Sequence, residues 1–487
     1  MCNTLVYSFF IYQDALLYII DNTPKLEAAR FCAVYLQSSG CEQPDGYDWS
    51  INIPQGESVP VEVNEVPSKP LKIIHISDIH YEPEYVVGSL ADCTKPVCCV
   101  NASGFPENGK GTAAGIYGMY GDCDTPWVTV LSTFENIAKN HPDVDLIYYT
   151  GDTIHHQIWN TSVESNSRDL NQLLLKLNES FPNVPVIPII GNHEPSPVNV
   201  FAPTSIEEAN LSSNWLYEVF ANNLKSWFPS TVLNTLKQGG YYTVKIKNNL
   251  RIIGLNSNLC INENWWLLYQ DWYKDPGGQL QWLVEVLLEA EKNKEFVHIL
   301  SHVPSANGDC LKVWSREYRR IVERFRYTIA GQFNGHSHRD DYTLYFDSKN
   351  TSQVIGSSFN GGSVQPGVNP NYVVYKIDPT NYAVTEKESW VFNLTEANKT
   401  PDKPPTWFKL YDFKKDFGLK DLSLQSLYSL VQQMAQSAAL RENYVRYRYK
   451  GEEVQCDDSC YQNVLCRIVT SELGDNTQCN EIKELYK

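Results

Sequence analysis

The chain has 487 residues, 42% of them apolar, and a formal net charge of −17 at pH 7. That length supports one large core with smaller satellites, and the apolar content argues against a disordered chain. The acidic balance argues against a nucleic-acid partner and leaves any lipid contact to apolar surface rather than to a basic patch.

Residues 1–41 read as two helices. The first lies in the apolar stretch LVYSFFIYQDALLYII and ends near Asn22. Gln13 and Asp14 interrupt it, so it is no membrane span, and it lacks the basic start and small-residue cleavage site of a signal peptide. A truncated start is the expectation. The second helix opens at Thr23-Pro24, with proline at a favourable early position. Cys2, Cys32 and Cys41 are odd in number and have no evident partners among themselves, which points to a stapled helical module with part of it missing. Residues 42 to about 70 carry Pro54, Pro60, Pro67 and Pro70 without helical period, the composition of an extended linker.

From Leu71 short apolar runs alternate with helical stretches. LKIIHIS, VDLIYYT, VPVIPII, LRIIGLN, FVHILS and YTIAGQFN read as buried strands, the pattern of an α/β layered domain. GGQLQWLVEVLLEAEKN reads as an amphipathic helix with Leu280, Leu283, Val284, Leu287 and Leu288 on one face. After about residue 400, Leu427, Val431, Met434 and Ala438 recur at helical spacing, followed by Cys456, Cys460, Cys466 and Cys479, a small stapled helical unit. Thirteen cysteines in all, without paired zinc knuckles, favour disulfides over thiolate metal sites. Glycosylation sequons at Asn101, Asn160, Asn178, Asn210, Asn350, Asn393 and Asn398 join them in indicating the secretory pathway.

Nearly every expected strand ends in residues able to hold a metal: Asp78-x-His80, Gly151-Asp152, Gly191-Asn192-His193-Glu194, Ser301-His302 and Gly335-His336-Ser337-His338. Each piece alone is common in surface turns. Five in order, each directly behind an apolar run, place them at the strand carboxyl ends where α/β sites form. Alternate residues of an extended chain point the same way, so Asp78 with His80, and His336 with His338, are expected to face one cluster, with glycines supplying tight turns. Imidazole and carboxylate together suit zinc or iron, and a bridging aspartate is the usual centre of a two-metal phosphoesterase.

This order is that of the calcineurin-like metallophosphoesterases. Within them, residues 71 to about 400 resemble the acid sphingomyelinases through GDTIHHQIWN, IIGNHEPSPVNVF, SSNWLYEVF, NENWWLL, DPGGQLQWLVEVL and NGHSHRDDY. The resemblance implies a layered α/β/β/α metallophosphoesterase domain over 71–400. A partial saposin B-type helical module (1–45, its C-terminal half) and a proline-containing linker (46–70) would precede it, and a helical disulfide-rich domain (401–487) would follow. It implies two zinc ions, one held by Asp78, His80, Asp152 and His338, the other by Asp152, Asn192, His302 and His336. His156 and His193 match the family's phosphate-contacting histidines and general-acid candidates, Glu263 its active-site glutamate, and Asn199 its head-group asparagine. The implied disulfides are Cys93–Cys98, Cys99–Cys123, Cys260–Cys310, Cys456–Cys460 and Cys466–Cys479.

The activity so implied is hydrolysis of sphingomyelin to ceramide and phosphocholine by two-metal-activated hydroxide. Sphingomyelin in membranes or lipoproteins is the partner, the saposin-type module the membrane contact, and a secreted or lysosomal monomer the form. Either histidine serves as the acid, with Glu263 holding it charged. Two positions depart from the family: Ser301 replaces a glycine, and Gln365 falls where a pocket tyrosine is expected, offering no aromatic face to a choline cation. The alternative is therefore a sphingomyelinase-like enzyme of soluble nucleotides or other phosphodiesters. A purple acid phosphatase would need a tyrosine where His155 stands, and a non-catalytic lipid-binding role would need a broken metal set. His75 and His141 read as structural, and Trp265 and Trp266 as either groove or core.

Overall fold

The structure, a computed structural model, describes residues 11–37, 47–56, 60, 69–247 and 249–487. Among these, two six-stranded sheets are built from β1 (Leu71–Ile76), β2 (Leu146–Tyr149), β3 (Val186–Pro188), β4 (Tyr242–Lys247), β5 (Leu250–Gly254), β6 (Phe296–Ser301), β7 (Ile329–Asn334), β8 (Tyr342–Phe346), β9 (Val354–Asn360), β10 (Asn371–Ile377), β11 (Val384–Phe392) and β12 (Trp407–Asp412). The first sheet runs β12-β11-β10-β1-β2-β3 and the second β4-β5-β6-β7-β9-β8. The strands expected from apolar runs pair in parallel: β1 with β2 and β2 with β3 at one end of the first sheet, β5 with β6 and β6 with β7 within the second. The antiparallel flanks were not anticipated.

The period of two along each strand builds the layers. Leu71 and Ile73 of β1, Leu146 and Tyr148 of β2, and Phe296 and Leu300 of β6 share one core between the sheets. Their neighbours Ile74, Ile76, Ile147 and Tyr149 face outward under the helices Trp127–Asn140 and Val163–Ser180. On the other side, Val297 and Ile299 pack under the helices Gln279–Lys292 and Lys312–Arg324. The result is the expected α/β/β/α order. In the helix Gln279–Lys292, Val286 joins the buried face and Leu288 is only partly buried. Polar links cross the inner core: His298 Nδ1 meets Tyr148 Oη at 2.7 Å, while its Nε2 donates to the Tyr382 carbonyl at 2.7 Å.

Three boundary expectations change. The second N-terminal helix starts at Ala28, not at Thr23-Pro24; Lys25 between them has φ +60°, which breaks the helical path, and a π-turn, Cys32–Leu36, continues it. The described residues 47–56 of the proline-containing stretch are docked rather than free, since Tyr47, Trp49 and Ile51 are buried against the outer helices and the Ile51 amide donates to Glu317 at 3.2 Å. Residue 400 is not a clean border: β12 lies beyond it and completes the first sheet, ahead of the helices Leu424–Gln436, Ala438–Arg448, Asp458–Val469 and Thr477–Leu485.

All five expected disulfides are present. Cys32 is also disulfide-bonded, so it is not the partnerless cysteine expected; Cys2 and Cys41 lie outside the described residues. Of the sequons, Asn101, Asn160, Asn210, Asn350 and Asn393 are exposed and Asn178 is partly buried. Asn398 departs from that pattern, because its amide donates to the Gly118 carbonyl at 2.9 Å and accepts from the Tyr117 amide at 3.1 Å.

The turn behind β7 is fastened to the first sheet by a buried ion pair. Lys387 of β11 donates to Asp340, and Tyr411 of β12 donates to the same carboxylate at 2.7 Å. Both charges are buried. Breaking one side strands the other, at about 3 to 5 kcal/mol. Lys387→Met is expected to lower the urea midpoint accordingly, and adding Asp340→Asn to recover part of the loss.

Candidate active site

The chain ends of β1, β2, β6 and β7, with the loop after β3, meet on one face of the two sheets. Asp152 Oδ2 lies 3.4 Å from His80 Nε2 and 3.1 Å from His302 Nε2. Asn192 Oδ1 lies 2.9 Å from His302 Nε2 and 3.0 Å from His336 Nδ1. His338 Nε2 lies 3.0 Å from His80 Nε2 and 3.4 Å from Asp78 Oδ1. All of the expected ligand residues are therefore brought together, and Asp152 stands between two groups.

The remaining hydrogen bonds fix what faces inward. His80 Nδ1 donates to the Ile154 carbonyl at 2.8 Å and His302 Nδ1 to the Thr150 carbonyl at 2.7 Å, which turns each Nε2 toward Asp152. Asn192 Nδ2 donates to Asn199 Oδ1 at 2.9 Å, which orients the Asn192 oxygen toward the site. Ring nitrogens and carboxylate and amide oxygens thus converge on one interior. The donor set, imidazole with carboxylate and amide oxygen, fits a divalent metal. The clusters His80–Asp152–His193 and Asp152–His302–His336 each bring their ligand atoms within 4.8 Å of one another.

The backbone achieves this differently from expectation. Asp78, His80, Asp152, His336 and His338 have φ of +50°, +45°, +59°, +71° and +54°, so the paired ligands are not alternate residues of extended chain but left-handed turns just past the strands. Asp, Asn and His tolerate that region better than most residues. Of the motif glycines only Gly151 is left-handed, at φ +90°. Gly191 and Gly335 are required by space: a Cβ on the first would strike the Asp152 carboxylate and Glu194, and on the second Ser77 and Asp78. Glu194, whose role in the motif had no assignment, brackets these turns by accepting from the Gly191 amide at 2.7 Å and the Asp152 amide at 3.2 Å. His75 is buried and structural as read, and it roots a relay: its Nε2 donates to Thr150 Oγ1 at 2.8 Å, Thr150 to Ser77 Oγ at 2.6 Å, and Ser77 to Asp78.

A cleft of about 500 Å³ opens over the ligands, lined in part by His156, His193, Asp122, Arg339 and Gln365. His156 stacks on His80 at 3.9 Å between ring centroids, and His193 stands edge-on to both. Their protonation differs. Burial disfavours the charged form of both, but Asp124 meets His156 Nδ1 at 2.6 Å and accepts from its amide at 2.7 Å, raising its pKa above the ordinary value. His193 has no such partner, and burial brings it down to about 3 despite Asp152. Asp124 was missed; nothing in its sequence neighbourhood marks it beyond the adjacent Cys123, whose disulfide with Cys99 secures the loop.

One assignment changes. Glu263 was expected to hold His156 or His193, but it accepts from Asn199 Nδ2 at 2.7 Å, and the carboxylate on His156 is that of Asp124. Asn199 bonds Asn192 at its oxygen and Glu263 at its nitrogen, which fixes its amide beside the ligand Asn192. Gln365 lines the cleft with its side chain tied to the Cys123 carbonyl at 2.9 Å and the Gly367 amide at 2.8 Å. Ser301 only accepts from Asn334. His155 turns away to accept from the Gln157 amide at 3.2 Å. Trp266 is wholly buried, and Trp265 stacks on Phe31 and Tyr35 of the N-terminal helical segment, so packing is the role of both.

Two facing mixed sheets with His, Asp and Asn donors at their strand ends define a metallophosphoesterase, a fold that binds divalent metal. Residues 71–340 match the model of the calcineurin-like phosphoesterases, and residues 351–485 that of the acid sphingomyelin phosphodiesterase C-terminal region. A sphingomyelin phosphodiesterase of Bos taurus is 36% identical over 419 residues, covering 84% of this chain and 66% of its own. Sphingomyelin phosphodiesterase 1 of Caenorhabditis elegans is 30% identical over 473 residues, covering 94% and 82%. A cyclic GMP-AMP phosphodiesterase of Homo sapiens is 29% identical over 440 residues, covering 85% and 90%. The chain belongs to the acid sphingomyelin phosphodiesterase family of calcineurin-like phosphoesterases, and it spans about two thirds of the length of the bovine relative.

Gly191→Ala has no room for its methyl beside Asp152 and is expected to weaken divalent-metal retention about tenfold or more, read by equilibrium dialysis against a chelator.

Proposed function

We propose that this chain is a zinc-dependent phosphodiesterase that hydrolyses sphingomyelin to ceramide and phosphocholine. The observation that carries the reading is Asp152 Oδ2 set between His80 at 3.4 Å and His302 at 3.1 Å, with Asn192, His336, His338 and Asp78 gathered about them. Asp78, His80, Asp152 and His338 would hold one zinc, and Asp152, Asn192, His302 and His336 the other. Bound there, the metals supply positive charge to the phosphoryl oxygens and acidify water. His156 and His193 flank the phosphate position, and His156, kept protonated by Asp124, gives its proton to the leaving alkoxide. His193, neutral, orients the phosphoryl group and shields the site from solvent water.

Lipid contact falls to the N-terminal helical segment, where Leu17, Ile20, Phe31 and Leu36 are exposed. A net charge of −17 leaves that apolar surface as the means of approach. The disulfides and exposed sequons support a secreted or lysosomal address, and no helix among the described residues is long and apolar enough to cross a membrane. One observation favours the second reading, a soluble phosphodiester substrate: among the described residues, the cleft wall has no aromatic ring other than imidazoles to hold a quaternary ammonium, and Gln365 stands in it.

The test is phosphocholine release from sphingomyelin vesicles with added zinc, beside a soluble p-nitrophenyl phosphodiester and a His338→Ala control. Release from vesicles, lost in the variant, supports the sphingomyelinase reading; hydrolysis of the soluble diester alone supports the second; inactivity on both, with no zinc in the folded protein, sinks both.

The acid works below its pKa and is lost as pH rises through it, so a raised His156 pKa carries activity to higher pH. Asp124→Asn is expected to move the alkaline limb of kcat down by about one unit or more and to lower kcat about 10²-fold on sphingomyelin. The same variant should lose least on the p-nitrophenyl diester, whose leaving group needs little protonation. An unmoved limb would remove His156 from the acid role.

A further inference from the structure

His336 presents Nδ1 to Asn192 Oδ1 at 3.0 Å, and the Asn192 amide nitrogen is already spent on Asn199. For Nδ1 to offer a lone pair there, the ring proton must sit on Nε2. Unlike His80 and His302, whose tautomers are set by backbone carbonyls, His336 has a side chain opposite: Asp309 Oδ2 stands 2.9 Å from His336 Nε2. Without that carboxylate the ring is free to carry its proton on Nδ1 and donate it to Asn192, closing the lone pair to a metal.

Asp309 does not reach His336 by chance of a mobile side chain. The turn that carries it is tied by a disulfide and five hydrogen bonds. Cys310 next to it is bonded to Cys260, and the Leu311 amide donates to the Cys260 carbonyl at 2.8 Å. The Asn262 amide donates to the Asp309 carbonyl at 2.7 Å, and the Asp309 amide to Asn307 Oδ1 at 2.9 Å. Gln37 of the N-terminal segment clasps the same turn, donating from Nε2 to the Cys310 carbonyl at 2.9 Å and accepting the Lys312 amide at 2.7 Å.

We propose that Asp309 is a positioning residue for the metal centre, holding His336 in the tautomer and ring orientation that expose Nδ1 to the metal shared with Asp152, Asn192 and His302. The proposal rests on the two-metal reading of the site. It assigns the Cys260–Cys310 turn a task in the centre besides joining two loops, and it makes the grip of that turn by Gln37 a route from the N-terminal segment to the metal.

The test is zinc content of the purified full chain after dialysis against a graded series of chelator concentrations, for wild type, Asp309→Ala, Asp309→Asn and His336→Ala. Asp309→Ala is expected to give up one zinc equivalent at chelator concentrations about 10- to 100-fold lower than wild type while keeping the other. Asp309→Asn, which keeps an acceptor oxygen without the charge, should fall between them. The thermal midpoint of the metal-free protein should match wild type in both, which a merely structural role for this exposed side chain would not require. Wild-type zinc retention in Asp309→Ala, with loss in His336→Ala, overturns the proposal and leaves the metal site standing. A wild-type chain that retains no zinc overturns the two-metal reading and the proposal with it.

Discussion

The structure is organised around a crowding of polar atoms: ring nitrogens of His80, His302, His336 and His338, the Asn192 oxygen and the carboxylates of Asp78 and Asp152 are held 2.9 to 3.4 Å apart in a largely buried site. Two carboxylates so buried need positive charge beside them, whether from protons on the imidazoles or from metal ions. The other bonds of the site hold that crowding in place. The Ile154 and Thr150 carbonyls take the Nδ1 protons of His80 and His302, Asn199 takes an amide proton of Asn192, and backbone amides of His193 and His336 bond one oxygen each of Asp152 and Asp78. The donor set so gathered fits divalent cations.

Enforcement costs backbone strain. Five ligand residues sit at positive φ, each at a cost of order 1 kcal/mol, and such conformers persist only where the surroundings over-determine them. Here the surroundings are the parallel strands of two sheets, which fix where each strand ends, together with Glu194, which gathers the amides of Gly191 and Asp152. The layered fold matters to the chemistry for this reason: it supplies the rigidity against which turns of Asp, His and Gly can be bent.

The parts of this legible in the sequence were those encoded locally. An apolar run followed by Asp, Asn or His marks a strand and its polar end, so β1, β2, β3, β6 and β7 and the ligands behind them could be read directly, and the resemblance supplied the disulfides. Conformation at the ligands was not legible, because alternate spacing is equally consistent with an extended chain and with a pair of left-handed turns; only the contacts of Asp78 and His80 with the Gly151–Thr153 backbone decide it. Asp124 and Asp309 were invisible for a different reason. Each acts on a histidine 32 or 27 residues away, and a lone aspartate in a loop carries no pattern. Glu263 was visible but misplaced in role, since a motif identifies a residue without saying which side chain its polar atoms meet.

The same long-range logic extends to the chain's two ends. Asp340 and Asp341 directly follow the ligand His338, and both are held from the C-terminal region: the Asp340 amide donates to the Arg448 carbonyl at 3.2 Å, and Arg448 Nε to Asp341 at 3.0 Å. Two residues on, Lys450 is wholly buried and donates to Ser363 at its carbonyl and hydroxyl, steadying the turn whose Val364 and Gln365 amides bond the Ser77 and Asp78 carbonyls. A buried lysine without a carboxylate within salt-bridge distance is expensive. The expense is intelligible because the turn it holds carries both a ligand backbone and a cleft wall. At the opposite end Gln37 grips the turn of Cys310. The helical segments at either end are therefore bonded into the loops that shape the metal centre, so the centre is a property of the whole chain rather than of the strand-end motifs alone.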